Sequence, residues 1–171
     1  MKDVNIPTVY QRQAQYNTWM NENIYSACKD IPDEQRKKDL KAFFHSIHGT
    51  LNHLLLGDRA WMGRFLNKPV KFESLNQELY SDFDILWRQR KQTDQDIEAW
   101  VNSLSDDKLA TPLSYVSMSG NTPMTLRLSD AVLHLFHHQT HHRGQVTTLI
   151  NQLGYDFGET DIPLMPGVTR E

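Results

Sequence analysis

The chain has 171 residues, a formal net charge of −3 and one cysteine, and its length suits a single domain spanning residues 1–171. The slightly acidic balance argues against a nucleic-acid partner and against binding to an anionic membrane, because both need a basic patch. A lone cysteine excludes an intramolecular disulfide, and no apolar run is long enough to cross a bilayer. We therefore expect a cytoplasmic protein.

Apolar residues recur at three- and four-residue steps in four long stretches, which is the period of amphipathic α-helices. Residues 111–128 instead alternate polar with apolar side chains around a turn-rich centre, which predicts a small β-hairpin between the third and fourth helices. Together these elements predict an all-α four-helix bundle with long crossover connections. The predicted helices run from Val9 to Cys28, from Leu40 to Phe65, from Asp82 to Leu104 and from Ser129 to Gly154.

The fourth helix carries five of the eight histidines within residues 134–142. On a helical wheel His138 and His142 lie one turn apart, on or beside the apolar face, whereas His137 and His141 point toward solvent. Two imidazoles four residues apart on a helix can bind one metal ion. The pattern indicates half of a metal site, while a pH-sensing histidine cluster and a hydrogen-bonded core histidine remain alternatives.

The second helix carries His53 at the edge of its apolar face, beside a stripe of small residues. Small side chains let either a partner helix or a bound group come close, so the stripe fits close packing as well as a site. Asp58 falls within the apolar face and needs a partner such as a histidine, an arginine or a backbone N–H. The alternative to a functional role for Asp58 is a structural network. The stripe consists of Ser46, Gly49, Thr50, Gly57 and Ala60.

Four blocks of the chain resemble the DinB family, the damage-inducible branch of the DinB/YfiT-like superfamily: YNTWMNENIY, FFHSIHGTLNHLLLGDRAWMGRF, HLFHHQTHHRGQ and GETDIP. The resemblance implies an up-down-down-up four-helix bundle, often dimeric, in which three histidines bind a divalent ion, commonly nickel or zinc. By motif, the ligands correspond to His53 in TLNH and to His138 and His142 in HxxxHRGQ. The chain departs from the family at His137, where asparagine is more common.

Three neutral histidine ligands would leave the ion its full charge and at least one open coordination position. Such an ion could acidify water for hydrolysis or bind a thiol as the nucleophile, and relatives in the superfamily include enzymes that use low-molecular-weight thiols. The resemblance therefore implies a metal-dependent thiol S-transferase or hydrolase with a small-molecule substrate. The alternative is a non-catalytic metal-binding stress protein, in which the ion holds two helices together. A nucleic-acid-binding damage-response protein fits the acidic balance least well.

Two further residues, Asp58 and Gln145, are candidates for supporting the metal site. Ligating imidazoles usually donate their second N–H to an oxygen. Gln145 shares the helix face of His138 and His142, and Asp58 is a buried acid without a local partner. We expect at least one of the two to orient a ligand or to contact the open coordination position.

The expected oligomer is a symmetric homodimer of about 40 kDa, twice the 20.0 kDa of one chain. On the fourth helix, Leu133 and Phe136 lie opposite the metal pair, and Trp61 and Met62 widen the apolar surface of the second helix. Soluble monomers seldom leave such a surface open. Burial of these residues within the bundle itself is the alternative.

Overall fold

The computed structural model describes residues 5–118 and 120–168 of the chain. Its long helices are α1 (Ile6–Lys29), α3 (Ile47–Phe65), α4 (Phe83–Asn102) and α6 (Leu128–Gln152), its short helices are α2 (Asp33–Lys37) and α5 (Asp106–Leu109), and its strands are β1 (Pro112–Val116) and β2 (Pro123–Arg127). The strands pair as an antiparallel hairpin, and a 3₁₀ turn at Ile162–Leu164 lies in the tail.

The four long helices form a closed ring around the core. α1 packs against α4 and α6, and α3 packs against the same two helices, so α1 and α3 lie diagonally across the bundle. Apolar side chains from all four helices fill the interior. The predicted bundle and its hairpin between the last two long helices are confirmed. Within the described residues, no helix is both long enough and apolar enough to span a membrane.

The start of α3 is the main difference from the predicted elements. Instead of continuing back to Leu40, the helix begins after Ser46, whose side chain accepts a hydrogen bond from Gly49 N at 2.9 Å and caps the helix. Lys41 and His45 have φ angles of 59° and 65°, in the left-handed region that an α-helix excludes. The segment before α3 is therefore a tight loop.

A network of buried polar side chains joins α1, α3 and α4 at the centre of the bundle. Arg90 Nη1 lies 2.7 Å from Asp58 Oδ2, and Arg90 Nη2 lies 2.8 Å from Asp94 Oδ1. From α1, Asn17 and Asn21 donate hydrogen bonds to Asp94 Oδ1 at 3.1 and 2.9 Å. All five residues are buried. Burial raises the pKa of the Asp58 carboxyl group, and the adjacent Arg90 charge opposes part of that rise.

Helix α6 completes this network from the opposite side. Gln139 Nε2 donates a hydrogen bond to Asp58 Oδ2 at 2.6 Å, and Arg143 Nη1 donates to Gln139 Oε1 at 3.1 Å. Arg143 also donates to Asn17 of α1. Every long helix thus contributes to one buried group of paired charges and amides, which we call the central network.

The residues from which a dimer surface was predicted are mostly buried within the chain. Trp61 packs against Phe65 and against Tyr115 of the hairpin, and Met62 and Phe136 are also buried. Leu133 is 42% exposed. The bundle and its hairpin therefore cover most of the apolar surface from which the homodimer was expected. The homodimer stays a prediction.

Replacing Arg90 by methionine should destabilise the protein by about 3–5 kcal/mol, since the change leaves Asp58 and Asp94 buried without their counter-charge. The matched control is Arg88→Met on the exposed face of α4, expected to change the free energy of unfolding by less than about 0.5 kcal/mol. Urea denaturation of both variants measures the difference. Equal stabilities of the two variants would show that the central network does not depend on the Arg90 charge.

Candidate metal centre

Three histidines from two adjacent helices meet at one point in the structure. His53 comes from α3, and His138 and His142 come from successive turns of α6; one ring nitrogen from each lies within 4.8 Å of the others. His53 Nε2 and His138 Nε2 are 3.1 Å apart, close to the separation of about 3.3 Å between two nitrogen ligands of a tetrahedral zinc ion. The structure therefore brings together the three histidines singled out in the sequence.

Two protein oxygens determine which nitrogens face this point. The backbone carbonyl of Leu75 accepts a hydrogen bond from His53 Nδ1 at 3.0 Å, and Gln145 Oε1 accepts one from His142 Nδ1 at 2.7 Å. Because Nδ1 carries the proton in both rings, each Nε2 keeps its lone pair free for an ion. His138 Nδ1 is buried and has no hydrogen-bond partner among the described residues.

Burial keeps the three imidazoles neutral at physiological pH. It lowers the pKa of His53 to about 4, against the opposing effect of the Leu75 carbonyl. Burial, together with the neighbouring histidines, lowers the pKa of His138 to about 3. The pKa of His142 is lowered by burial as well. Because metal ions bind the neutral form of imidazole, the donor set fits a divalent ion without first losing protons.

The rings are held in place by an aromatic neighbour and by a glycine. Phe44 stacks on His53 with 3.8 Å between ring centroids, and it meets His142 edge-on. On α3, a Cβ added to Gly57 would lie 2.9 Å from Cε1 of His138. At Gly57, the small-residue stripe therefore makes room for the ring of His138, a histidine of the candidate centre.

Asp58 is placed in the central network and not beside the histidines. Its Oδ2 contacts Arg90 and Gln139, and the described residues include no hydrogen bond between Asp58 and a histidine. Asp58 therefore has the contacts of a residue in a structural network, which was the alternative to a functional role. Gln145 is the candidate that contacts the cluster, through its hydrogen bond to His142.

The remaining histidines have other surroundings. His48 Nε2 donates to the backbone carbonyl of Tyr80, 2.9 Å away. His137 and His141 are exposed, on the side that the helical wheel indicated. The ring of His134 lies 5.8 Å from that of His138, one turn before the pair. None of these four histidines belongs to the three-histidine cluster, although His134 lines the same cleft.

The histidine cluster forms part of the wall of a cleft of about 480 Å³, a size typical of small-molecule sites. Its other walls are largely apolar and aromatic, with Phe44, Trp61 and Tyr115 among them. None of the described residues that line the cleft is an aspartate or a glutamate. Arg64 is the ionised side chain among them.

The model of the DinB family matches residues 2–170. The chain belongs to the DinB family. Protein DinB of Bacillus subtilis (strain 168) is 26% identical in an alignment that covers 91% of this chain and 92% of that relative. The crystal structure of a DinB-like protein from Bacillus cereus matches with a TM-score of 0.54 at 22% identity, covering 89% of this chain and 92% of the other. This likeness supports the bundle fold of the family member described here.

The sequence does not single out two contributors to the centre. Phe44 lies inside a predicted helix, from which its stacking on His53 does not follow. Leu75 contributes only a backbone carbonyl, which any residue would supply. The pair of adjacent aromatics Phe43 and Phe44 before a serine cap was the one available signal. Phe43, on the apolar side of the expected helix, is 75% exposed.

Lowering the pH should destabilise the metal-free protein. Unfolded histidines bind protons near pH 6.5, whereas folded His53 and His138 do so only near pH 4 and pH 3. Below about pH 6.5 the unfolded state therefore binds more protons, and the free energy of unfolding falls with falling pH until the folded pKa values are passed.

Urea unfolding of chelator-treated protein at about pH 7.5 and about pH 5 measures this loss. The control is the double variant His53→Gln, His138→Gln, which lacks both titrating rings and should lose less stability between the two pH values. An equal loss in both proteins would contradict the assignment of this pH dependence to the cluster.

Gly57→Ala should weaken divalent-metal binding by about tenfold or more, because the added methyl group pushes His138 away from His53. Gly144→Ala on α6 is the matched control, since a Cβ there meets nothing within 4 Å. Competition titration of zinc against a chelator compares the two variants with the unmodified chain. Unchanged affinity in Gly57→Ala would show that the ring position does not depend on the glycine.

Proposed function

We propose that this DinB-family chain is a metal-dependent enzyme of the thiol S-transferase or hydrolase type, in which His53, His138 and His142 hold a divalent ion, zinc or nickel. The observation that carries the proposal is the convergence of three neutral imidazoles on one point in the wall of a cleft. Imidazole nitrogens suit both metals, and three protein ligands leave a position for a substrate.

The bound ion would supply a Lewis acid that lowers the pKa of water or of a thiol. The chain's own residues then have distinct tasks. Leu75 O and Gln145 Oε1 hold the ring planes, and Phe44 covers His53 against water. His134 lines the cleft, where its imidazole can accept a proton from the bound thiol or water and return it.

The composition of the cleft favours thiol transfer over hydrolysis. Zinc hydrolases commonly place a carboxylate beside the ion as a general base, and none of the described lining residues is acidic. The nearby acid, Asp58, is paired with Arg90. A low-molecular-weight thiol needs no such base once its proton is lost, because the thiolate is itself the nucleophile.

The second candidate function is that of a non-catalytic metal-binding stress protein. The cluster joins α3 to α6, so a bound ion would link two helices and add its binding energy to folding. A fourth protein ligand would fit this role best, since closed tetrahedral sites are typical of structural zinc. Among the described residues, the cluster comprises three possible ligands, which favours the enzyme.

Protein purified without a histidine tag should contain about one divalent ion per chain, and alanine at any of the three histidines should lower the affinity by more than about tenfold. His137→Ala is the control from the same helix and should keep the metal, because that side chain is exposed. Elemental analysis and competition titration provide the measurements. Loss of metal in His137→Ala with retention in His138→Ala would contradict the proposed ligand set.

The unmodified chain and its His138→Ala variant also distinguish the two candidate functions. Metal-loaded protein is incubated with glutathione, bacillithiol or mycothiol and an electrophile, with His138→Ala as the control. Thiol transfer that requires His138 supports the enzyme. Full metal binding without turnover of any thiol, and without hydrolysis of ester or amide substrates, would support the non-catalytic protein instead.

A further inference from the structure

Arg64 lines the same cleft as the three histidines. Its guanidinium carbon lies 4.4 Å from the centre of the Trp61 ring and 4.5 Å from that of Tyr115. The Trp61 ring in turn packs against His134, whose ring neighbours His138. A continuous wall of rings therefore connects the arginine to the candidate metal centre.

Within residues 5–118 and 120–168, the side chain of Arg64 forms no ion pair and donates no hydrogen bond. Half-burial without an acidic partner has an electrostatic cost, and burial accordingly lowers the pKa of Arg64. Among the described residues, the other buried or half-buried arginines all have polar partners. These are Asp33 for Arg36, Gln89 for Arg59, Asp58 and Asp94 for Arg90, and Gln139 for Arg143.

The contacts of Arg64 leave its donors available. Cation–π contact uses the face of the guanidinium group, whereas the five N–H donors lie in its plane. A planar fork of this kind matches a carboxylate, which can accept two parallel hydrogen bonds. The described lining residues include no acid that could compete for these donors.

We propose that the substrate of this cleft carries a carboxylate, which Arg64 binds while the reacting group of the same molecule lies at the histidines. This inference rests on the proposed function, and it narrows the substrate class to small organic acids, thiol acids included. A single arginine matches one negative charge. A phosphate ester carries a charge of about −1.5 to −2, and Arg64 alone would leave part of that charge uncompensated.

The test is a binding titration of the full chain, with and without one equivalent of zinc, using 3-phenylpropionate and its uncharged amide, 3-phenylpropanamide, as probes. Both probes fit an aromatic cleft, and they differ only in the group offered to Arg64. Calorimetry or ligand-detected NMR measures the dissociation constants. The acid should bind about 10- to 100-fold more tightly than the amide, as expected for a charge-assisted bidentate pair.

Arg64→Gln should abolish this preference while leaving binding of the amide nearly unchanged. Arg88→Gln removes the same charge from an exposed site on α4 and should keep the preference. Circular dichroism checks that both variants fold, and the comparison of acid with amide in the unmodified chain tests the proposal even where a variant does not fold.

The proposal would be overturned by equal binding of the two probes, by a preference that survives Arg64→Gln or by absence of saturable binding by the acid. If the proposed metal function is wrong, the chain does not bind zinc, which is a different result. The zinc-free titration still reports on Arg64 in that case. Binding of inorganic phosphate more tightly than of the acid would contradict the choice of a carboxylate.

Discussion

The hydrogen bond between Gln139 and Asp58 sets the register of α6 against α3, and the histidine cluster depends on this register. Gln139 directly follows His138 in the chain, and Asp58 directly follows Gly57. Consecutive residues on a helix point about 100° apart. The same region of helix contact therefore presents Gln139 and Asp58 to the bundle centre and His138 and Gly57 to the cleft. A shift of one residue along either helix would disrupt both pairs together.

Burial has opposite chemical consequences in these two regions. In the central network, Asp58 and Asp94 have a counter-charge in Arg90, so charged side chains can persist in the interior. In the cluster, His53 and His138 have no counter-charge among the described residues, and burial keeps both rings neutral. Buried ion pairs often add little net stability. We infer that the main contribution of the network is to fix the helix register on which the cluster depends.

Periodicity in the sequence was sufficient to predict the bundle, and it distinguished His138 and His142 from the other histidines of α6. It could not choose His53, since contacts between helices leave no trace in the period of either helix, and that choice needed the family resemblance. The true start of α3 was missed because a left-handed conformation at a non-glycine residue, as at His45, has no reliable sequence signal. The role of Leu75 was equally hidden, because a backbone carbonyl is common to all residues.

The proposed metal site is tested most directly by diffraction from crystals of untagged protein at the absorption edge of its bound metal. If the three histidines hold the ion, one anomalous peak per chain is expected at about 2.0–2.2 Å from a ring nitrogen of each of His53, His138 and His142. At least one coordination position should face the cleft and be free of protein ligands. A peak at His137 or His141, or protein crystals grown with added zinc or nickel that show no peak at the cluster, would contradict the proposed site.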